Sequence, residues 1–589
     1  MLAALVDLAL RRPWALLAAN LVVLGIAMVL AVGAPARLGI GSLALDEPTE
    51  AKGRAPPDLV IVTTGRTPVR SGVYRVALQV IASGVRSDPG VSAVRRGPIS
   101  ANGRSTSLNV FLSSDDDQER LRQVERIEAG VDPGPLHVTF GGEVAALLEA
   151  PRNLSGDFWR LELLALPFVV LVLVAALGPR LAVAPVLSAA TAIAGALAGL
   201  RIADGVMDVS LLGIAPAAVL GLAIGVEAPF LLVARFRDEA NSTAYPDAVR
   251  RTLAAAAELA VPLGLGATAA TAGLVATTLD QAGSMVLACG LSVALALASA
   301  IVCVPALIGL WGPNAMDAAE EPYGAPPLRR AAGAVAGFVA RSPLRTALVG
   351  VVCAAALLGA ASPLLHAESR PFSAADLPAS RDVQAVLAEA TAGGPGRPAA
   401  SATGVAAPST SRQSLFDELA VAAGISAGAL ALVLLVAFRS LRVLPVAVVT
   451  LLPAAAACGL CVLVFQDGHI ASTLGQRGQG ALETGAVASL VTGLVAVSTA
   501  RGVIVLRVAR GERGLGLDPA RAAEMTAVLT LPAAIVATLI GAAATAVLAG
   551  SDLYPAREFG LAVAAGLLID LMLLRVPLLT ALARWGGRD

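Results

Sequence analysis

The chain has 589 residues, of which 56% are hydrophobic and 15% charged, with a mean hydropathy of +0.77 and a formal net charge of +0. An ordinary soluble domain carries roughly 25% charged residues, so water is excluded as the solvent for most of this chain. The balanced charge also excludes a general affinity for nucleic acid.

Apolar runs of about 20 residues recur along the sequence, each long enough to cross ~30 Å of hydrocarbon as a helix. The first, at 14 to 33, follows Arg11-Arg12-Pro13. It is too long for a signal peptide and has no small-residue cleavage site, so residues 1–35 are expected to stay as the first membrane helix.

Residues 36–158 have the periodicity of a small α+β unit. Asp58-Leu59-Val60-Ile61-Val62 reads as a strand and Val73 to Val85 as an amphipathic helix. Val91 to Arg96 and Ser107 to Leu112 read as a strand pair around Asn102-Gly103. Asp115-Asp116-Asp117 starts a helix to about Ile127, and Leu136 to Phe140 alternates as a last strand. That order is the split βαβ, ferredoxin-like arrangement.

Five spans are then expected over residues 159–311, at 159 to 177, 181 to 200, 210 to 233, 259 to 277 and 283 to 311. Residues 312–345 form a linker, and the seventh span is 346–364. Residues 365–415, rich in Gly, Ala, Ser, Thr and Pro, read as a reduced and partly disordered counterpart of the first outer unit. Residues 416–589 hold the last five spans, at 419 to 438, 443 to 465, 484 to 507, 526 to 549 and 557 to 582.

Arg180, Arg235, Arg237, Arg250, Arg251, Arg329, Arg330, Arg439, Arg442, Arg507, Arg510 and Arg513 fall in alternate connections. Arginine near span ends is retained on the cytoplasmic side, so both termini and the 312–345 linker are expected inside. Residues 36–158 are then expected outside. One helix, an outer segment and five helices occur twice, and Arg11-Arg12-Pro13 before span one matches Arg341-Ser342-Pro343 before span seven. The expected fold is an all-α polytopic membrane protein of two parallel six-helix repeats, twelve spans in all, with one α+β domain outside.

All five cysteines lie in apolar runs and read as small hydrophobes, the Cys458-Gly459-Leu460-Cys461 motif included. The three histidines are dispersed, so no metal site, cofactor or catalytic group is expected. Without a GxxxxGK[ST] loop, ATP-driven transport is not expected either.

Gly225-Val226-Glu227-Ala228-Pro229 leading to Arg235-Phe236-Arg237-Asp238-Glu239 resembles the fourth-helix signature of the MMPL family, in which Gly-Val-Asp-Tyr leads to Arg-x-Arg-Glu-Glu. This family belongs to the resistance-nodulation-division superfamily, the bacterial exporters of lipids and hydrophobic compounds. Phe438 to Arg442, Leu377 to Arg381, Val304 to Leu307, and Asp570 with Arg575 are similar to further family features. The resemblance implies a lipid or hydrophobic substrate, a proton relay between spans four and ten, and a bacterial plasma membrane location. The chain departs from the family in two places. Glu227-Ala228 replaces Asp-Tyr, and Val497 to Gly502 in span ten has no carboxylate. Registering Arg235 on Arg507 pairs Glu227 with Thr499, whereas registering Arg237 on Arg510 pairs it with Ala500 and Ala228 with Arg501.

A charge at bilayer depth is costly, which makes Glu227, Arg501 and Asp570 candidates for a relay, with Thr499 as an alternative partner of Glu227. Arg575 lies nearer a span end, where a structural, snorkelling role fits. Asp570 and Arg575 are five residues apart and on different faces of one helix, so the partner of Asp570 is expected on another helix. Glu227 and Arg501 are expected to meet between spans four and ten. Two functions follow: a proton-driven exporter of hydrophobic molecules, working among membrane lipids as a homo-oligomer, or a degenerate accessory subunit of a cell-envelope complex. No enzyme activity is expected.

Overall fold

The computed structural model describes residues 2–32, 57–100, 102–114, 117–142, 144–145, 164–204, 209, 213–240, 243–276, 282–311, 334, 343–370, 413–469, 480–551 and 553–573. Where one first helix was expected there are two, α1 (Leu2–Arg11) and α2 (Pro13–Ala31). Arg12 leaves helical geometry at φ −140°, and Pro13 starts α2 where its missing N–H costs nothing.

Next comes a sheet of β1 (Leu59–Thr64), β2 (Val91–Ile99), β3 (Ser105–Leu112) and β4 (His137–Gly141), with α3 (Gly72–Arg86) and α4 (Asp117–Gly130) inserted after β1 and β3. Its spatial order is β2-β3-β1-β4 and all three pairings are antiparallel. Leu59, Ile61, Leu108 and Val110 pack against Tyr74, Leu78 and Ile81 of α3 and Val124 and Ile127 of α4. Ser71 caps α3 by accepting from Tyr74 N. The Tyr74 hydroxyl donates to Thr63 O at 2.6 Å, and burial raises its pKa above the ordinary 10.0. Arg120 of α4 pairs with Asp58 at the start of β1, tying the second helix to the sheet.

The remaining helices are α5 (Leu164–Leu177), α6 (Val183–Ala203), α7 (Ile214–Ala240), α8 (Tyr245–Thr271), α9 (Ala282–Trp311) and α10 (Pro343–Ala361). A small sheet of β5 (Glu368–Arg370), β6 (Gln413–Ser414) and β7 (Leu482–Glu483) brackets α11 (Leu415–Phe438), α12 (Leu444–Val449) and α13 (Leu452–Cys461). The chain continues through α14 (Thr484–Gly514), α15 (Pro519–Ala546) and α16 (Tyr554–Ile569). Ten helices among the described residues are long and apolar enough to cross a membrane. The expected spans at 159 to 177 and 557 to 582 are described in part, as α5 and α16. Most of the 36–56, 146–163, 312–342 and 371–412 stretches lie outside the described residues.

Two expected spans change shape. The helix placed at 259 to 277 begins at Tyr245, because an alanine-rich stretch carries it through Arg250, Arg251 and Glu258 beyond the apolar run. The span placed at 443 to 465 is broken into a 3-10 turn, α12, α13 and a π turn. Pro453 has no N–H to offer Val449 O, and the Thr450 hydroxyl instead donates to Val446 O at 2.9 Å.

Burial sorts the helices by position. α7 and α14 are 89% and 94% buried over their apolar windows, against 22% for both α10 and α11. The first pair therefore forms the centre of the bundle and the second pair its periphery. α7 packs on α15 and α14 on α8, a reciprocal exchange that joins the two halves of the chain.

Candidate functional site

Among the described residues, the centre of the bundle holds three charges. Glu227 lies midway along α7, and Arg501 midway along α14. Asp570 continues the α16 helix directly after Ile569. Their side chains are 2%, 1% and 1% exposed, in that order, so water does not screen them. Arg501 Nε donates to Glu227 Oε1 at 2.7 Å, and Arg501 Nη1 donates to Asp570 Oδ2 at 2.6 Å. Ser498, one turn earlier on α14, donates its hydroxyl to Asp570 Oδ1 at 2.5 Å. Arg501 Nη2 has no acceptor among the described residues.

Local sequence sets this geometry. A Cβ on Gly225 would lie 2.6 Å from Ala189 Cα, so glycine is what lets α7 close on α6 two residues before Glu227. Pro229, two residues after it, removes the N–H that would bond Gly225 O and loosens the helix at this level. A Cβ on Gly502 would stand 3.0 Å from Val446 Cγ1, which fixes α14 against α12 beside Arg501.

The arrangement sorts the predicted residues. Glu227 meets Arg501, and Asp570 finds its partner on another helix, again Arg501. Thr499 is buried, but its methyl would stand 3.6 Å from a Cβ on Gly266 of α8, and its hydroxyl has no partner among the described residues. Neither sequence register places Glu227 opposite Arg501, the pairing that forms. Arg575 lies outside the described residues. Ser498 was not singled out by the sequence reading, although its position three residues before Arg501 puts it on the same helix face.

A second charged network closes one end of α7 and α14. Arg235 contacts Glu239 at 2.9 Å and Glu512 at 3.7 Å, while Arg251 of α8 contacts Glu239 at 3.3 Å. Arg507 pairs with Glu258 of α8, and Arg510 donates to Phe438 O at 2.6 Å, satisfying the last turn of α11. No cluster of His, Cys, Asp and Glu able to hold a metal occurs among the described residues.

The site is chemically suited to carrying charge. Arginine stays protonated in proteins, so with both acids ionised the triad carries one net negative charge. One proton on either acid makes it neutral. Both states are compatible with burial, and they differ in how strongly α16 and α7 are held to α14.

The MMPL family pattern matches residues 72–357 and 359–589. A membrane protein of Streptomyces coelicolor is 28% identical over 584 residues, covering 84% of this chain and 80% of that protein. The trehalose monomycolate exporter MmpL3 of Mycolicibacterium smegmatis is 31% identical over 175 residues, 28% of this chain and 16% of the exporter. SecDF from Thermus thermophilus, a translocon-associated membrane protein, superposes with a TM-score of 0.52 at 14% identity, covering 97% of this chain and 99% of SecDF. A super-membrane-facing form of SecDF gives 0.51 at 14% identity, covering 96% and 98%. These structural matches establish a common fold.

Proposed function

This chain belongs to the MMPL family of membrane transporters, and we propose that it exports a lipid or similarly hydrophobic molecule across the bacterial plasma membrane, driven by protons. The observation that carries the reading is the buried Glu227–Arg501–Asp570 triad, which joins the two halves of the chain at the centre of the bundle. One relative supports the substrate class, since MmpL3 is an exporter of trehalose monomycolate.

In this mechanism the deprotonated triad clamps α7 and α16 onto α14 through Arg501. Protonation of one acid removes one charge-assisted contact, each worth roughly 1.5–3 kcal/mol net. That is enough to shift a balanced two-state equilibrium by about tenfold or more. Ser498 holds Asp570 in reach of the guanidinium. The order of strands and helices in residues 59–141 supports a split βαβ domain that lines the substrate path outside. Arginine-rich ends at Arg235, Arg251, Arg507 and Arg510 support a cytoplasmic location for that end of the bundle and for both termini.

The rival reading as a degenerate accessory subunit drew on the absence of a carboxylate from span ten and on the reduced 365–415 segment, most of which lies outside the described residues. Asp570 on α16 supplies a second acid to the same cation, which removes the first argument. The test is proton movement in reconstituted vesicles on addition of candidate lipids. Wild type is expected to couple the two, and Glu227→Gln to lose coupling while keeping its fold. Wild-type transport by Glu227→Gln would end the relay reading.

A further inference from the structure

Asp570 is not the only buried acid of α16. Glu558, in the second turn, is 1% exposed and twelve residues earlier, about 18 Å away along the helix. Its Oε1 accepts from Cys461 Sγ at 3.7 Å, and its Oε2 from the backbone N–H of Glu483 at 3.3 Å. Glu483 caps α14, accepting from Gly485 N at 2.8 Å and Ala486 N at 2.5 Å. Glu558 therefore sits against β7, the strand that pairs with β5, at the opposite end of the bundle from the Arg235–Glu239–Glu512 network.

Around it, Cys458 and Cys461 come from α13, Glu483 from β7, and Arg370 from β5, which is in register with Glu483. Arg557, on the same helix, turns to Ser551 O. α15 and the 3-10 turn after it, Val547–Gly550, bring no titratable group to this end.

Among the described residues, a close apolar contact of α16 with α14 and α13 constricts the region between Glu558 and the triad. A Cβ on Gly566 would stand 2.3 Å from Leu494 Cδ1 and 3.0 Å from Ala457 Cβ, so the Leu494 side chain fills the space where another residue's side chain would begin. Leu494 lies four residues before Ser498, and Gly566 four before Asp570. The constriction is thus one helical turn from the triad, on the Glu558 side, and Leu490, Val563 and Leu567 are buried around it.

We propose that Glu558 is the residue that loads protons into the triad from the sheet-bearing face of the membrane, with Leu494 on Gly566 as the gate between them. The inference rests on the relay reading. A proton taken from bulk water binds the Glu558 carboxylate. When Leu494 leaves Gly566, admitted water carries the proton to Asp570, which gives up its bond to Arg501 Nη1 and becomes neutral. Glu558 returns to its ionised form.

The gate allows a test without any known substrate. Purified protein is reconstituted in phosphatidylcholine and phosphatidylglycerol vesicles holding a pH-sensitive dye, and proton leak is followed after an acid pulse. Leu494→Ala is expected to leak roughly tenfold faster than wild type, the effect of a barrier lowered by ~1.4 kcal/mol. Adding Glu558→Gln, or separately Glu227→Gln, should return the leak to the wild-type rate. A Leu494→Ala protein no leakier than wild type, or a Leu494→Ala/Glu558→Gln protein as leaky as Leu494→Ala, overturns the proposal. Leak that survives Glu227→Gln but not Glu558→Gln keeps Glu558 as the loading residue and refutes the relay reading instead. Monodisperse elution is the folding control. If Glu558→Gln fails it, Glu558→Asp, whose carboxylate is withdrawn by one methylene, should give a leak between the two limits, and an unchanged leak counts against the proposal.

Discussion

Replacing Arg501 with methionine tests whether the triad is held by charge rather than by shape. Arg501 makes two contacts of 2.7 and 2.6 Å to acids that are 2% and 1% exposed. At an effective dielectric of about 20, each charge pair ~4 Å apart is worth about 4 kcal/mol of gross attraction. Removing one partner of a buried pair typically costs about 3–5 kcal/mol, because the remaining charge is stranded. Arg501→Met strands two, so its loss should fall at the upper end of that range. Arg501→Met/Glu227→Met/Asp570→Leu strands none, and replacing a buried ion pair by well-packed hydrophobic residues of similar volume is often neutral. Most of the lost stability should therefore return, although proton coupling should not. Cys289, Cys303, Cys458 and Cys461 are buried, so a thiol-reactive dye reports thermal unfolding in detergent directly. The expected order of apparent Tm is wild type, then the triple variant close behind, then Arg501→Met lower by several degrees. A triple variant as unstable as Arg501→Met would show that packing, and not charge balance, makes Arg501 necessary.

With Cys353 replaced by alanine, a cysteine at exposed Asn102 should react with an impermeant maleimide added outside cells, and one at Leu515 should not. The reverse pattern would refute the orientation drawn from the arginines. In the isolated protein, Tyr74→Phe should destabilise the α+β unit by about 1 kcal/mol through loss of the bond to Thr63 O. The raised Tyr74 pKa means that the folded unit binds this proton more tightly than the unfolded chain. Its contribution is present below pH 10 and lost as pH rises through the folded value, so Tyr74→Phe should flatten the alkaline unfolding profile read by near-UV circular dichroism.

Apolar run length located the ten spans seen among the described residues because hydrocarbon imposes one length scale, and short apolar or alternating runs bounded by turn residues located β1, β2, β3 and β4. α1 escaped because ten amphipathic residues before Pro13 look like a charged flank, yet Val6 and Ala9 are buried, and a Cβ on Gly309 of α9 would lie 2.1 Å from Ala9 O. The expensive intramembrane charges Glu227, Arg501 and Asp570 stood out by residue type alone. The sequence also predicts the meeting of Glu227 with Arg501, but not that Asp570 shares the same cation. Matching span four to span ten by arginines at the helix ends gave registers that miss the Glu227–Arg501 contact, since side-chain reach and helix rotation decide which residues meet. Glu558 was hidden for a different reason: one acid near a span end looks like any loop carboxylate until Glu483 of β7 and Cys461 of α13 are folded onto it.

The triad also constrains how the protein is made. Glu227 and Arg501 are 274 residues apart, and at about 5–20 residues per second the ribosome needs roughly 15–55 s to reach the second after the first. For that interval α7 is in the translocon or the bilayer with its acid and without its cation, a cost of about 2.5–3.5 kcal/mol for an acidic residue at helix centre. The leucine, valine and alanine around Glu227 must outweigh it unaided. Substitutions that make α7 more polar are then expected to show first as failed insertion and early degradation, even where the finished bundle would tolerate them.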